Sequence, residues 1–558
     1  MPELYEKSCA VANCGEAVID RWAECEWCWN VYCKKHDKVG FHLCRQWPYG
    51  AHNLDEKRAI KAQARKAYYG GVITQIAKHQ NFLVHEAETL RPGHSCQLTI
   101  PQDLDAFAES SKIGIFNLHF LITFNDGVKW LLRVRQDKGH RPPAEIARTV
   151  IESEVATLGV LKEGGLPVAK GYLPLSLETS EGEKQKLPFD YFFCEFLEGT
   201  PFKVPRADWY GSIDLQGDRL LHFIDEYAKI QIQLSDHPLP FTRIGCLCYE
   251  HVDNGDRPVK VGPIVCRGTF MKTQSPYFFG PFSTNKERYL ANIDATLNYD
   301  RHYAPKTLRT LDRYLWHLEL RELVNACNVL KEEPKEVYIK HDDEKGDHFL
   351  VDEEEKVTGI IDWEWAYVTT KAEAFASPWL FYRDQNYRLG SNELTSDEEL
   401  LIEVYKRYDR PDLADCVRNG RLYARLDQIG HYEQTLQKSG FREVFGKDIL
   451  GVFDPPRADV DWRVYMMKRC KNDKGLIGMM KRCKWPLERA EKEAETWNAE
   501  QGKKRADMRE LEKAKNRKSR KAKPDPKAES QATEEQSLEA TNWQDGITLE
   551  KSVSHSVL

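Results

Sequence analysis

Two aspartates near the middle of the 558-residue chain constrain its fold more than any other feature. The run VYIKHDDEKGDHFLVDEEEKVTGIIDWEWA places Asp343 in a His-Asp-Asp motif and Asp362 nineteen residues later, inside Ile-Asp-Trp. The apolar pair Leu350 and Val351 lies between them. Carboxylates beside strand-like residues generally need a cation, so this run predicts that the acids hold a metal ion or another positive charge.

Length and composition indicate a packed protein with more than one folded region. A chain of 558 residues exceeds the roughly 250 to 300 residues of a single core, and its 41% hydrophobic content is that of a globular protein. The formal charge of -6 gives no general case for nucleic-acid binding. The sequence shows no signal peptide and no apolar run of about 18 residues, so we expect an intracellular protein, in the cytoplasm or the nucleus, with no membrane partner.

Cysteines and histidines crowd into the first 44 residues with the spacing C-x4-C-x10-C-x2-C-x4-C-x2-H-x5-H-x-C. Thiolate and imidazole suit Zn²⁺, which takes four such ligands in structural sites, so eight candidates supply two closed sites without an open catalytic position. A region this small needs the metal to fold. The predicted zinc ligands are Cys9, Cys14, Cys25, Cys28, Cys33, His36, His42 and Cys44. The alternative is a chance cluster of unrelated side chains.

This spacing resembles the two-zinc finger of the AN-one class, with a first gap of four residues where two is usual. The two sites of that family interleave. The resemblance therefore implies that one zinc ion is held by Cys9, Cys14, Cys33 and His36, and the other by Cys25, Cys28, His42 and Cys44.

The middle of the chain begins with strand-like runs and continues with helical ones. DEKRAIKAQARKAY predicts a helix that stops at Gly70 and Gly71, and NLHFLITFNDGVKWLLRVR predicts a hairpin that turns at its Asn-Asp-Gly. AEIARTVIESEVATLGVLKEGG predicts an amphipathic helix. Two more strand-like runs, GLPVAKGYLPL and FDYFFCEFLEGTPF, precede the helical runs RLLHFIDEYAKIQIQLS and KTLRTLDRYLWHLELRELVNACNVL. This segregation predicts an α+β fold with two lobes.

A strand with an arginine, a helix with glutamates, and H-x-D followed by I-D-W come in the order found in the protein-kinase-like fold. Over residues 80–430 the chain resembles the aminoglycoside phosphotransferase family, in its fungal branch, and the matching segments are 165–168, 244–245, 280–282 and 350–366. The resemblance implies a small β-rich N-lobe over residues 80–200 and a larger helical C-lobe over 201–470. A two-zinc finger at 1–50 and a helical linker at 51–79 would precede them.

The resemblance also implies roles in phosphoryl transfer, where the protein mainly positions groups and neutralises charge. Asp343 would be the catalytic base that accepts the proton of the attacking hydroxyl, and Asp362 would hold Mg²⁺ against the phosphates of ATP. Arg133 lies where a phosphate-binding lysine is usual, and Glu154 where the helix partner of that lysine lies. Arginine keeps the charge but changes the geometry. The hairpin with its turn at DEEEKV would hold both aspartates rigidly.

The chain departs from the family pattern in its acidic loop. The usual motif runs H-G-D-x-x-x-x-N, and here His348 occupies the asparagine position. Imidazole suits Mg²⁺ less well than an amide oxygen, so a metal ion held at His348 would also need Asp362, Asp347 or water as ligands. A G-x-G-x-x-G loop is missing before Arg133, and SSKIG is the only candidate for one.

The sequence leaves open which arginine of the strand pairs with which glutamate of the helix. Glu152 competes with Glu154 as the helix glutamate, since both lie in ESEVATL. Arg135 lies on the same strand face as Arg133. Either combination could form the ion pair.

The C-terminal part is rich in charge and poor in apolar residues. We expect a charged helical extension over residues 471–523 and a disordered tail over 524–558. Residues 503–523 contain eleven basic and three acidic residues, which favours a solvated helix, with nuclear import or RNA contact as the alternative.

Two functional hypotheses follow. The first is an ATP-dependent small-molecule phosphotransferase that acts on a hydroxyl of an unidentified substrate, with two structural zinc ions and with Mg²⁺ and ATP at the active site. The second is a catalytically degenerate kinase-like adaptor, in which the zinc finger contacts a protein partner. His348 at the usual asparagine position would then reflect the loss of catalytic activity. Nucleotide binding distinguishes them, because only a functional site should be stabilised by nucleotide.

Overall fold

The computed structural model describes the greater part of the chain between residues 54 and 521. The described residues are 7–8, 17–18, 54–109, 113–114, 116–136, 144–175, 187–202, 217–250, 257–264, 277–344, 346–382, 385–427, 429–430, 438–446 and 454–521. All eight predicted zinc ligands and the predicted tail beyond residue 523 lie outside them.

Helices and short strands alternate along the described chain. The α-helices are Leu54–Lys78, Gln80–Leu90, Leu104–Glu109, Ala144–Glu163, Gly217–Ser235, Asn285–His302, Leu308–Ala326, Lys371–Ala374, Trp379–Tyr382, Gln385–Arg388, Ser396–Arg407, Pro411–Arg418, Arg421–Leu426, Lys438–Val444, Asp459–Arg469, Lys474–Cys483 and Leu487–Lys521, with 3₁₀ turns at Val329–Lys331 and Trp363–Trp365. The strands are Lys7–Ser8, Ala17–Val18, Cys96–Leu98, Asn117–Phe124, Lys129–Arg135, Gly171–Tyr172, Tyr191–Glu195, Thr200–Pro201, Cys246–Tyr249, Val259–Gly262, Tyr338–Lys340, Phe349–Val351, Val357–Ile360 and Tyr367–Thr369.

The first part of the fold is a five-stranded antiparallel sheet with the strand order 96–98, 117–124, 129–135, 191–195 and 171–172. The predicted hairpin is confirmed, and Gly127 has a φ of 86° in its turn, a conformation that suits glycine. Alternate residues Leu118, Phe120 and Ile122 are almost completely buried on one face. The sheet is therefore packed on its inner face, as period-two patterning dictates.

The first long helix differs from the prediction. It runs from Leu54 to Lys78 and passes through Gly70 and Gly71, although the sequence pattern predicts its end there. A glycine costs a helix only about 1 kcal/mol relative to alanine. Ile73 and Ile76 are buried beyond the glycines in the core beneath the sheet, and burying two such side chains outweighs that cost.

The second part is mainly helical and carries the predicted acidic hairpin. Strands Phe349–Val351 and Val357–Ile360 pair antiparallel, and Thr200–Pro201 adds a third strand. Phe349 lies against helix Gly217–Ser235, where Phe223 is in edge-to-face contact with it at 6.1 Å. A small sheet followed by a helical part confirms the α+β prediction.

The chain divides into two compact units. The larger comprises the described residues up to 457 and residues 465–485; the smaller comprises residues 458–464 and the described residues from 486. Within the smaller unit, Trp462 is fully buried and Arg463 contacts Glu493 at 2.5 Å. Across the described ranges, no helix is both long enough and apolar enough to span a bilayer.

Candidate active site

One nitrogen atom of the Arg133 guanidinium contacts three carboxylates near the end of strand Lys129–Arg135. Nη2 of Arg133 lies 3.3 Å from Oε1 of Glu154, 3.0 Å from Oδ1 of Asp362 and 3.4 Å from Oε2 of Glu364. Only 7% of the surface of Arg133 is exposed. The structure thus brings together the three residues predicted to serve the nucleotide, and it adds a fourth, Glu364.

The side chains of this cluster differ in how burial and neighbouring charges shift their pKa values. Burial disfavours the charged form of Arg133, yet the three surrounding carboxylates outweigh burial and raise its pKa. Burial raises the pKa of Glu154 to about 8, although Arg133 opposes that shift. Burial would also raise the pKa of Asp362, but the guanidinium of Arg133 holds it below its usual range. Asp362 is therefore ionised at neutral pH, whereas burial favours the protonated form of Glu154.

Arg135 forms a second ion pair, which the sequence pattern did not predict. Nη1 of Arg135 donates to Oε2 of Glu364 at 2.7 Å, and Nδ2 of Asn117 donates to the same oxygen at 2.9 Å. Glu152 instead accepts from Arg148 one helical turn away, at 2.7 Å. The signal for Glu364 was present in the sequence, because it lies two residues after Asp362 in Asp-Trp-Glu-Trp.

His341 connects the backbone of Asp343, the predicted base, with that of Ile361, which precedes Asp362, the predicted magnesium ligand. Its Nδ1 accepts from the backbone N–H of Asp343 at 3.2 Å. Its Nε2 lies 3.0 Å from the carbonyl oxygen of Ile361 and must donate, because the other ring nitrogen is an acceptor. One neutral imidazole thus holds the loop of Asp343 against the residue that precedes Asp362. The H-x-D spacing contained this histidine, but its bridging contacts could not be predicted from it.

Asp362 has an unusual backbone conformation. Its φ of 69° and ψ of 41° are left-handed, between strand Val357–Ile360 and the turn Trp363–Trp365. Aspartate tolerates this region better than most residues, and such conformations cluster at functional sites. Nε1 of the buried Trp363 donates to the carbonyl of Ile360 at 3.2 Å and anchors the turn. The carboxylate of Asp362 remains 50% exposed.

His348 lies inside the protein. It is 3% exposed, its ring is stacked on His341 at 4.5 Å, and its Nδ1 accepts from the backbone N–H of Gly346 at 3.3 Å. A metal ion at Nδ1 would have to displace that hydrogen bond. Nδ1 is therefore poorly placed for a metal ion, and the use of His348 as a metal ligand stays a prediction. Asp347, the preceding residue, is exposed.

The residue after Asp343 is a buried acid. Glu344 accepts from the hydroxyl of Tyr227 at 3.3 Å and from Nε2 of Gln231 at 3.2 Å. Burial raises its pKa to about 7. It lines a small cavity below the acidic loop, together with Gln231, His341 and His348.

Comparison with known proteins gives a match to one family model over part of the chain. Residues 113–388, close to half of the chain, match the family model described as "APH: Phosphotransferase enzyme family". Among solved structures, a macrolide 2'-phosphotransferase type I is 15% identical, with 64% of this chain and 94% of that chain covered and a TM-score of 0.29. An ethanolamine kinase from Plasmodium vivax is 14% identical, with coverage of 61% and 81% and a TM-score of 0.33. An amicoumacin kinase is 15% identical, with coverage of 67% and 88% and a TM-score of 0.29. A comparison with curated proteins found no match.

Proposed function

We propose that this protein, whose residues 113–388 match the model of the phosphotransferase enzyme family, transfers the γ-phosphoryl group of ATP to a hydroxyl group of a small molecule. The observation that supports this proposal is the contact of Arg133 with both Glu154 and Asp362. It gathers a buried cation, its helix partner and an ionised, accessible carboxylate, which are the parts that phosphoryl transfer requires.

Asp343 would act as the base. As the oxygen of the acceptor attacks the γ-phosphorus, its O–P bond forms, the bond from the γ-phosphorus to the bridging oxygen breaks, and ADP departs. The acceptor's proton passes to the carboxylate of Asp343. His341 supports this role as a positioning residue, because it holds the backbone N–H of Asp343 at 3.2 Å.

Asp362 fits a divalent cation. Its carboxylate is ionised and half-exposed, and carboxylate oxygen is a ligand that Mg²⁺ prefers. Bound magnesium would supply neutralising charge beside the phosphates. In the described part of the chain, no three His, Cys, Asp or Glu side chains already form a metal site. The remaining ligands would thus be phosphate oxygens and water, as is usual for Mg²⁺.

Arg133 would change partners when nucleotide binds. Phosphate oxygens would replace the carboxylate of Asp362 as acceptors for its Nη2, and Glu154 would retain the guanidinium from the helix side. The planar fork of arginine suits this exchange because it can serve a carboxylate and a phosphate in the same geometry.

Nucleotide binding to the full chain tests the proposal. ATP with Mg²⁺ should raise the free energy of unfolding by RT ln(1 + [L]/Kd) and should therefore raise the unfolding temperature. ATP alone should raise that temperature less. Asp362→Asn should remove most of the Mg²⁺-dependent part, whereas the matched change Asp347→Asn at an exposed acid should not. A wild-type protein that shows no shift, and that consumes no ATP with any of a panel of hydroxylated compounds, would contradict the proposal.

We further propose that the first 50 residues bind two structural zinc ions through their eight cysteines and histidines. The support for this is their ligand types and spacing, since the set leaves no open coordination position at either ion.

A further inference from the structure

His119 contacts the arginine of the candidate site from the neighbouring strand. It lies in strand Asn117–Phe124 and is the register partner of Arg133, so the two side chains lie on the same side of the sheet. Nε2 of His119 lies 3.3 Å from Nη1 of Arg133. A guanidinium group only donates hydrogen bonds, so Nε2 accepts and carries no proton. His119 is therefore neutral in this contact and binds Arg133 as an acceptor.

The side of the sheet that carries His119 is partly exposed to solvent around this residue. On the opposite side, Leu118 and Phe120 are almost completely buried in the core. His119 and Leu121, at the alternate positions of the same strand, are partly exposed. His119 also shares its contact partner, Arg133, with the half-exposed carboxylate of Asp362. Its position thus indicates a role at the site rather than in the core.

The guanidinium group of Arg133 uses its nitrogen atoms differently. Nη2 faces the three carboxylates, whereas Nη1 faces His119. Nε has no hydrogen-bond partner among the residues that the structure describes. Phe192, the register partner of Arg133 in strand Tyr191–Glu195, has its ring centre 5.9 Å from the guanidinium carbon. On the side of strand Asn117–Phe124, His119 therefore fixes the direction of the guanidinium plane.

The contacts at Nη2 change under the proposed function, whereas the contact at Nη1 does not. Asp362 would turn to magnesium, and a phosphate oxygen would take its place at Nη2. The hydrogen bond from Nη1 to His119 involves neither the metal nor the phosphate, so it can persist through this exchange. An arginine held at Nη1 keeps Nη2 in place for the incoming phosphate, which lowers the entropic cost of binding.

We propose that His119 is a positioning residue for nucleotide binding, which holds Nη1 of Arg133 and thereby directs Nη2 at a phosphate group. The role assigned to His119 rests on the proposed phosphotransferase function. It adds to the site a residue that lies outside the motifs of the sequence.

The pair of His119 and Arg133 explains how arginine can serve where the family resemblance implies lysine. A lysine side chain ends in one nitrogen atom, which cannot occupy the positions of Nη1 and Nη2 at once. Arginine has a planar group with nitrogen atoms at both positions, so it can donate to His119 and to a phosphate together. Arg133→Lys would therefore remove the contact with His119, and the effect of changing His119 should disappear with it.

Calorimetry of ATP binding with Mg²⁺ to the full chain tests this role. His119→Leu removes the acceptor and should raise the Kd for ATP about tenfold, as expected for a hydrogen bond to a charged group. His119→Gln can place an oxygen where Nε2 lies and should stay within about threefold of wild type. His85→Leu, at an exposed histidine of helix Gln80–Leu90, is the matched control and should leave the Kd unchanged. All titrations are made below the unfolding temperature of the least stable variant.

A double-mutant cycle separates positioning from support of the fold. In the Arg133→Lys background, His119→Leu should change the Kd less than about twofold, because Nη1 is already absent. A merely structural histidine would instead weaken binding by the same factor in both backgrounds. If Arg133→Lys binds no ATP, the comparison of His119→Leu with His119→Gln decides the question.

Three results would each overturn the role of His119. They are a Kd of His119→Leu within about twofold of wild type, an equal loss in both backgrounds, and a Kd of His119→Gln as high as that of His119→Leu. None of them affects the parent proposal as long as wild-type protein binds ATP with Mg²⁺. Wild-type protein that binds no ATP refutes the phosphotransferase itself, and with it any role of His119 in nucleotide binding.

Discussion

Nη2 of Arg133 lies 3.0 Å from Oδ1 of Asp362, so the cation proposed to bind phosphate is held by the acid proposed to bind magnesium. In the absence of nucleotide the two residues neutralise each other. Under the proposed function, binding of ATP with its metal would replace this ion pair by two new ones, so that the charges of Arg133 and Asp362 would be compensated in both states.

Changes at Asp343, the proposed base, and at Asp362, the proposed magnesium ligand, should have different effects on ATP binding and on turnover. Asp343→Asn removes the proton acceptor and should lower turnover about 10²- to 10⁴-fold, with Mg²⁺-ATP affinity nearly unchanged. Asp362→Asn should weaken Mg²⁺-dependent ATP binding itself. Calorimetry and ATP consumption with an active acceptor measure the two effects. Equal losses of ATP affinity in both variants would show that the roles are wrongly assigned.

Arg133→Met should destabilise the protein by about 3 kcal/mol, because Glu154, Asp362 and Glu364 would lose their shared cation. Denaturant titration measures the change. The matched change Arg148→Met removes a half-exposed pair with Glu152 and should cost no more than about 0.5 kcal/mol. If the two variants were equally stable, the buried cluster would contribute no more than an exposed pair.

The stability of the protein should depend on pH through Glu344. Its pKa rises from an ordinary value of 4.5 to about 7 on folding, so the folded state holds this proton more tightly than the unfolded state. That contribution is fully present below about pH 4.5 and is lost as the pH rises through about 7. Its full size is about 3 kcal/mol.

Denaturant titrations between pH 4 and pH 8 check this dependence. Glu344→Gln cannot ionise, so its stability relative to wild type should improve steadily across that window. Glu353→Gln, at an exposed acid of the hairpin turn, is the control and should follow wild type. A constant difference between Glu344→Gln and wild type at every pH would mean that Glu344 does not titrate with folding.

The full chain should contain two zinc ions, and a chain that starts at Leu54 should contain none. Elemental analysis of both proteins after dialysis measures this. The expectation follows from eight ligands at finger spacing in the deleted segment. Equal zinc content in the two chains would place the metal elsewhere.

Local patterns predicted the parts of the site that depend on sequence order. The hairpin at Gly127, the helix that carries Glu154 and the paired strands around Leu350 all follow from periodicity and turn residues. Their positions relative to one another came from the family resemblance. Periodicity alone could not have brought residues 133 and 362 together.

Tertiary contacts decided what local patterns could not. The choice between Glu152 and Glu154 depends on which face of the helix lies towards the sheet. Arg135 donates to Glu364, which lies more than 200 residues away in the sequence. Gly70 and Gly71 do not end a helix because buried isoleucines follow them.

The unbroken helix Leu54–Lys78 has a mechanical consequence. At about 1.5 Å per residue it is a rod of about 37 Å, and its far end is fixed by Tyr69, Ile73 and Ile76 in the core beneath the sheet that carries Arg133. A flexible tether would let the segment before Leu54 move without effect on the catalytic strand. A stiff rod instead acts as a lever, so that a force applied near Leu54 would be transmitted to the sheet that carries Arg133.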